Sequence, residues 1–167
     1  MKKLVFAAFS LIIGINLYSQ TFELDHLYNT YRGEEDVISI YIPGFACRLA
    51  ASIGEMETQE QELLRSIKSV RIQVIENKEI NRTVNYARAF SGNKSARGYF
   101  PMLEVHDKGE DVLILARQKE DAIRELVILV GGEENVMVWV KGRMDQDLMK
   151  NLFEVTGIEQ CQYTKEI

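Results

Sequence analysis

Between residues 100 and 141 the chain sets four strand-length apolar runs on turns too short for anything but hairpins. The runs fall at 100–106, 111–118, 124–130 and 135–141, and Asp107-Lys108-Gly109, Gln118–Asp121 and Gly131–Asn135 punctuate them. Connections of this length join neighbouring antiparallel strands, so the segment predicts a meander in sequence order. Val112–Ala116 and Leu126–Val130 are apolar at every position. Strands of that kind belong in the middle of a sheet, covered on both faces.

The preceding half reads as mostly helix. Leu24, Leu27, Tyr28 and Tyr31 recur at helical spacing before Gly33. Val37–Ile42 reads as a strand with Ile38, Ile40 and Ile42 on one face, ended by Pro43-Gly44. Phe45, Leu49 and Ile53 mark a second helix, closed by Gly54. Thr58 with Gln61 forms a capping-box start for a third, carrying Leu63, Leu64 and Ile67. Val70, Ile72 and Val74 alternate with Arg71 and Gln73, which predicts a strand with one solvated face. Ile80, Val84, Ala87 and Phe90 define a fourth helix ending at Gly92, and Asp145 caps a last one with Leu148, Leu152 and Phe153, stopped at Gly157. The expected fold is α+β: a mixed, mostly antiparallel sheet of about six strands, with a four-strand C-terminal meander and packed helices.

The first residues carry a different signal. Lys2 and Lys3 precede an apolar run from Leu4 to Leu17, broken only by Ser10, Gly14 and Asn16. As a helix it spans roughly 20 Å, against about 30 Å for a bilayer core. It therefore fits a secretory signal peptide of residues 1–19, cleaved after Ser19, with residues 20–167 as one soluble domain in the periplasm or outside the cell.

Charge narrows the partners. The net charge is −5, and loss of Lys2 and Lys3 with the leader takes it to −7. A chain this acidic, without a basic stripe, is repelled by nucleic-acid phosphates and anionic lipid, so neither is expected as a partner. Two cysteines, Cys47 and Cys161, would enter an oxidising compartment. A bridge between them closes a long loop; the other reading of Cys47, among Phe45, Ala46 and Leu49, is a small buried hydrophobe.

The stretch from Gly98 to Leu152 carries a resemblance. It includes Tyr99, Met102-Leu103-Glu104-Val105, Asp107 to Val112, Arg124 to Val130 and Val138-Trp139-Val140-Lys141-Gly142-Arg143-Met144-Asp145. In layout this resembles the domain of unknown function numbered 4252, a family of small exported proteins of Bacteroidetes, and the segment around Val37–Leu49 fits the same pattern. The resemblance implies location and fold. It implies no chemistry, and the lipobox cysteine of the family's lipoprotein members is absent here.

Chemical motifs are sparse. His26 stands beside Asp25 and His106 beside Asp107, without the H-x-x-H or Cys/His spacing of a metal site or a nucleophile in a recognised motif. Ser91-Gly92 and Ser95 form no nucleophile elbow, and Gly131-Gly132 lacks phosphate-loop spacing. Glu34-Glu35-Asp36 and Glu133-Glu134 read as solvated loop charge. No catalytic residue, cofactor or metal is assigned. What remains is surface: Met137 and Trp139 beside Lys141, and Tyr99-Phe100-Pro101, are the candidate contact strips, and the other reading of each is core, with Met137 and Trp139 packed under a helix and Lys141 reaching outward. The expected function is a non-catalytic module that binds another envelope component. The alternatives are a small periplasmic hydrolase, which would show a polar pocket with convergent titratable groups, and an apolar-ligand carrier with a cavity between sheet and helices.

Overall fold

The computed structural model describes residues 19–91 and 98–145. The proposed leader up to Tyr18, the helix expected after Asp145, and Cys161 lie outside the described residues. The chain divides into two units between Arg32 and Gly33. In the first, α1 spans Ser19–Thr30, with the Thr30 hydroxyl donating to the His26 carbonyl at 2.7 Å.

The second unit runs β1 (Val37–Pro43), α2 (Gly44–Ile53), α3 (Thr58–Ser66), β2 (Ile67–Ile75), α4 (Lys78–Thr83), α5 (Tyr86–Ser91), β3 (Phe100–Asp107), β4 (Glu110–Lys119), β5 (Ala122–Gly131) and β6 (Asn135–Met144). All six strands form one sheet in the order β1-β2-β6-β5-β4-β3, and every pairing is antiparallel. The meander therefore stands as expected, while the mixed sheet resolves into a purely antiparallel one. After β2 the chain crosses to the far edge, and three hairpins bring it back until β6 pairs with β2, Val70 opposite Val140 and Ile72 opposite Val138. Gly109, at φ +104 in the β3–β4 turn, supplies a conformation that side chains disfavour.

Local chemistry shifts two helix boundaries. The capping box of α3 forms one residue earlier than Thr58: the Glu57 N–H donates to Glu60 Oε2 at 3.3 Å, and Gln61 instead donates to the Met56 carbonyl at 3.2 Å. The single helix expected over Ile80–Phe90 is two. Asn77 caps α4 through the N–H groups of Glu79 and Ile80, and Asn85 restarts the helix as α5 by accepting from the Arg88 N–H at 2.9 Å.

Cross-strand register sorts the side chains onto two faces. Opposite residues share a face, so Ile38, Val74 and Val136 lie on one, and Arg71, Trp139 and Val127 on the other. On the tryptophan face Leu113, Leu115, Val127, Leu129 and Met137 are buried, each worth about 1.5–3 kcal/mol of transfer free energy. Helix α5 covers this side with Tyr86, Ala87 and Phe90. On the isoleucine face Ile114, Ala116, Leu126 and Met144 form a second cluster, against which Leu63 of α3 packs. Strand β2 inverts the expected alternation. Gln73 has no exposed surface, while Val70, Ile72 and Val74 are half-buried. The cause is satisfaction of the amide: Gln73 Oε1 accepts from the Tyr86 hydroxyl at 2.6 Å, and Nε2 donates to the Ser39 hydroxyl at 2.9 Å.

Candidate functional site

Two carboxylates on the tryptophan face collect the charge of the sheet. The first is Asp111, at the start of β4, with a side chain 2% exposed. It accepts from Asn85 Nδ2 at 2.7 Å, from Arg88 Nε at 2.7 Å and from His106 Nδ1 at 2.5 Å. Three elements thus meet on one side chain: β3 through His106, β4 itself, and α5 with the residue before it. Gly131 of β5 makes room for this, since a Cβ there would collide with the Asn85 carboxamide. His106 Nε2 lies 3.4 Å from Glu104 Oε1. His106 pairs with Asp111 across the hairpin, and its sequence neighbour Asp107 lines the adjacent groove instead.

The hydrogen bond to Asp111, aided by the charges of Asp111 and Glu104 and outweighing desolvation, raises the His106 pKa above its ordinary 6.5. The same hydrogen bond, with those from Asn85 and Arg88, holds the Asp111 carboxyl below 3.8 against desolvation. A raised histidine stabilises the fold fully below its unfolded pKa and loses that contribution as pH climbs through the folded value. A lowered aspartate stabilises above its unfolded pKa and loses it as pH falls through the folded value. The pair is therefore expected to contribute most between about pH 4 and 6.5. Melting temperature should decline above that window in the wild type, and His106→Gln should flatten the decline. Parallel pH profiles for wild type and variant would refute this.

Beside Asp111 lies an open groove of about 720 Å³, walled by Arg82, Arg88, Lys108, Asp107, Glu110 and Glu133 among others. Its charges are mixed, and Arg82 is engaged by Glu79 at 2.6 Å. A hydrolytic His–Asp pair needs the far ring nitrogen aimed at a nucleophile. Here that nitrogen faces a carboxylate. Among the described residues no three His, Cys, Asp or Glu side chains are placed to hold a metal ion.

The second carboxylate is Glu125 of β5, 6% exposed. It accepts from the Tyr99 hydroxyl at 2.5 Å and from Trp139 Nε1 at 3.0 Å, and it pairs with Arg117. The Trp139 ring carries Lys141 Nζ 4.0 Å and Arg71 Cζ 5.0 Å from its centroid. Met137 and Trp139 have no accessible surface, and Tyr99 keeps 2%. These three side chains are core, so they offer no exposed strip. The physical reason is that the polar tips of Tyr99 and Trp139 find an internal acceptor in Glu125, which lets the rings go inside. Phe100 is half-buried against the isoleucine-face cluster.

The exposed apolar surface is elsewhere. On α2 the small residues Gly44, Cys47 and Ala51 face inward, whereas Phe45, Leu49 and Ile53 are 65%, 57% and 74% exposed. Cys47 is a buried free thiol. Small residues at this spacing were the available signal, because they let a helix approach closely and push its large residues to the outside. No described helix is long and apolar enough to cross a membrane.

Fold and site together define a single-sheet α+β protein whose buried charges are tied into structural networks. A family model of a domain of unknown function (DUF4252) matches residues 31–152, and the chain belongs to that family. No curated protein and no solved structure matches it.

Proposed function

We propose that this protein is an exported, non-catalytic binding module of the bacterial envelope, soluble after loss of residues 1–19, and that it contacts another envelope component through α2. The observation that carries the reading is the stripe of Phe45, Leu49 and Ile53, three large apolar side chains at four-residue spacing, each more than half exposed. Single exposed hydrophobics are ordinary, but an aligned row on one helix is the form in which helices offer a contact surface. The leader supports export, and the engagement of Asp111, His106 and Glu125 in structural bonds supports binding over catalysis.

The test uses tagged protein recovered from its own envelope, with the N-terminus read by mass spectrometry. Mature chains should begin at or near Gln20. A component retained by the wild type should be held about thirtyfold more weakly by Phe45→Ser, the effect of removing one interface anchor. Stability should change by no more than about 0.5 kcal/mol, as for a surface position. Retention unchanged by Phe45→Ser and Leu49→Ser together would sink the binding surface, and an intact Met1 on the mature protein would sink export.

A further inference from the structure

The two edges of the sheet are built differently. Strand β3 ends it on one side with Pro101, a register shift between Pro101 and Leu103, and the polar side chains of Glu104, His106 and Asp107. Proline, bulges and charges are the usual devices that stop an edge from pairing with another chain. Strand β1, at the other end, reads Val-Ile-Ser-Ile-Tyr-Ile-Pro: its proline stands only at the last position, its pairing with β2 runs without a register shift, and it carries no charge. Ile38, Ile40 and Tyr41 on it are 50%, 44% and 54% exposed.

Which backbone groups of β1 point outward follows from one bond. The Glu76 N–H donates to the Asp36 carbonyl at 2.9 Å, which makes Asp36 and Glu76 a hydrogen-bonded pair. Antiparallel pairs alternate, so Ile38, Ile40 and Ile42 bond inward to Val74, Ile72 and Val70. Val37, Ser39 and Tyr41 therefore turn both their N–H and C=O groups away from β2, and no described strand lies beyond them.

We propose that two copies of this chain pair through β1, antiparallel about a twofold axis at Ile40, joining two sheets into one. Reversing the strand about Ile40 sets Ile38 opposite Ile42, Ile40 opposite itself, and Ser39 opposite Tyr41. The outward-bonding residues Ser39 and Tyr41 then meet as hydrogen-bonded pairs. The isoleucines meet at the closer non-hydrogen-bonded positions, on one continuous face. A slip of one residue would set isoleucines against Ser39 and Tyr41 and turn the two apolar faces to opposite sides.

Charge at the strand ends selects a second copy over an unrelated strand. The same register places Asp36 of one copy opposite Gly44 of the other, bringing the Glu34-Glu35-Asp36 turn to the start of α2. That helix start has no side-chain cap and no acid in its first turn, and Arg48 is exposed one turn further on. Carboxylates are favoured there by the helix dipole, twice over in a twofold arrangement. The guarded β3 edge closes the assembly at two. This pairing is independent of the α2 stripe, which each copy keeps.

Sedimentation of the purified full chain tests it, with unfolding curves as the control for folding. The wild type should run at twice the monomer mass at micromolar concentration. Ile40→Lys puts two ammonium groups face to face on the axis and should leave only monomer. Tyr41→Pro removes one outward N–H from each copy without touching the bonds to β2, and should weaken the dimer roughly tenfold or more. Ile40→Cys should give a covalent dimer on non-reducing gels that the wild type, with its own two cysteines, does not give. A wild type that stays monomeric overturns the proposal. So does a dimer that survives both Ile40→Lys and Tyr41→Pro, or one broken by Phe45→Ser instead.

Discussion

Trp139→Ala is expected to destabilise the protein by about 3–5 kcal/mol, read from urea or thermal unfolding. The ring has no accessible surface and stands on the middle strand pair of the sheet, opposite Val127 and Arg71. Its removal opens a cavity, takes a donor from Glu125 and strips the ring from beneath Arg71 and Lys141. A loss of that size is a large share of the ~5–15 kcal/mol that holds an ordinary domain together. Trp139→Phe keeps most of the volume and loses the indole hydrogen bond, so it should cost less than half as much. A cost below about 1 kcal/mol for the alanine variant, in the range of a surface side chain, would show that the ring is not core.

The second large effect belongs to Glu125. Glu125→Ala should cost about 3–5 kcal/mol, because it leaves Arg117 without its carboxylate in a partly buried position. It also leaves the Tyr99 hydroxyl and the Trp139 indole without the acceptor that lets them stay inside. Glu125→Gln retains an acceptor and should cost less. A double-mutant cycle with Arg117→Ala separates the pair from its surroundings. Strict additivity of the two single losses would show that Arg117 and Glu125 do not act together.

The side chains with the most chemistry, Asp111, His106 and Glu125, are spent on joining strands and helices. Folding leaves large apolar side chains outside on α2 (Phe45, Leu49, Ile53) and on β1 (Ile38, Ile40, Tyr41).

Much of the sheet was legible in the residues. The hairpins between β3 and β6 follow from turn chemistry and strand length, both local properties. So do the stop at Pro43-Gly44 and the strand character of β1 and β2. The same holds for α2, whose ends the Pro43-Gly44 and Gly54 pairs mark. The break between α4 and α5 was written locally too, in an Asn85 that reads as a helix residue until its side chain is seen capping.

The candidate site was not legible. Asn135 has no exposed surface, donates to Asn81 Oδ1 at 2.7 Å and to the Val84 carbonyl at 3.0 Å, and accepts from the Tyr86 N–H at 2.7 Å. Its partners are 49 to 54 residues away in the chain. A polar side chain enters a core only when such partners arrive with it. The pattern around Gln73, Glu125 or Asn135 thus predicts a solvated position, and the fold makes each a buried one.

By itself the sequence determined the α+β class, the antiparallel meander, the acidic character and the membership in a family recognisable from Gly98 to Leu152. Those depend on short-range periodicity, turn residues and composition. Tertiary structure alone decided that β6 would lie against β2, that Trp139 would be core and Phe45 surface, and that His106 would serve Asp111. Each of these is settled by what a distant segment brings to the other side of a contact, and burial is a property of both sides.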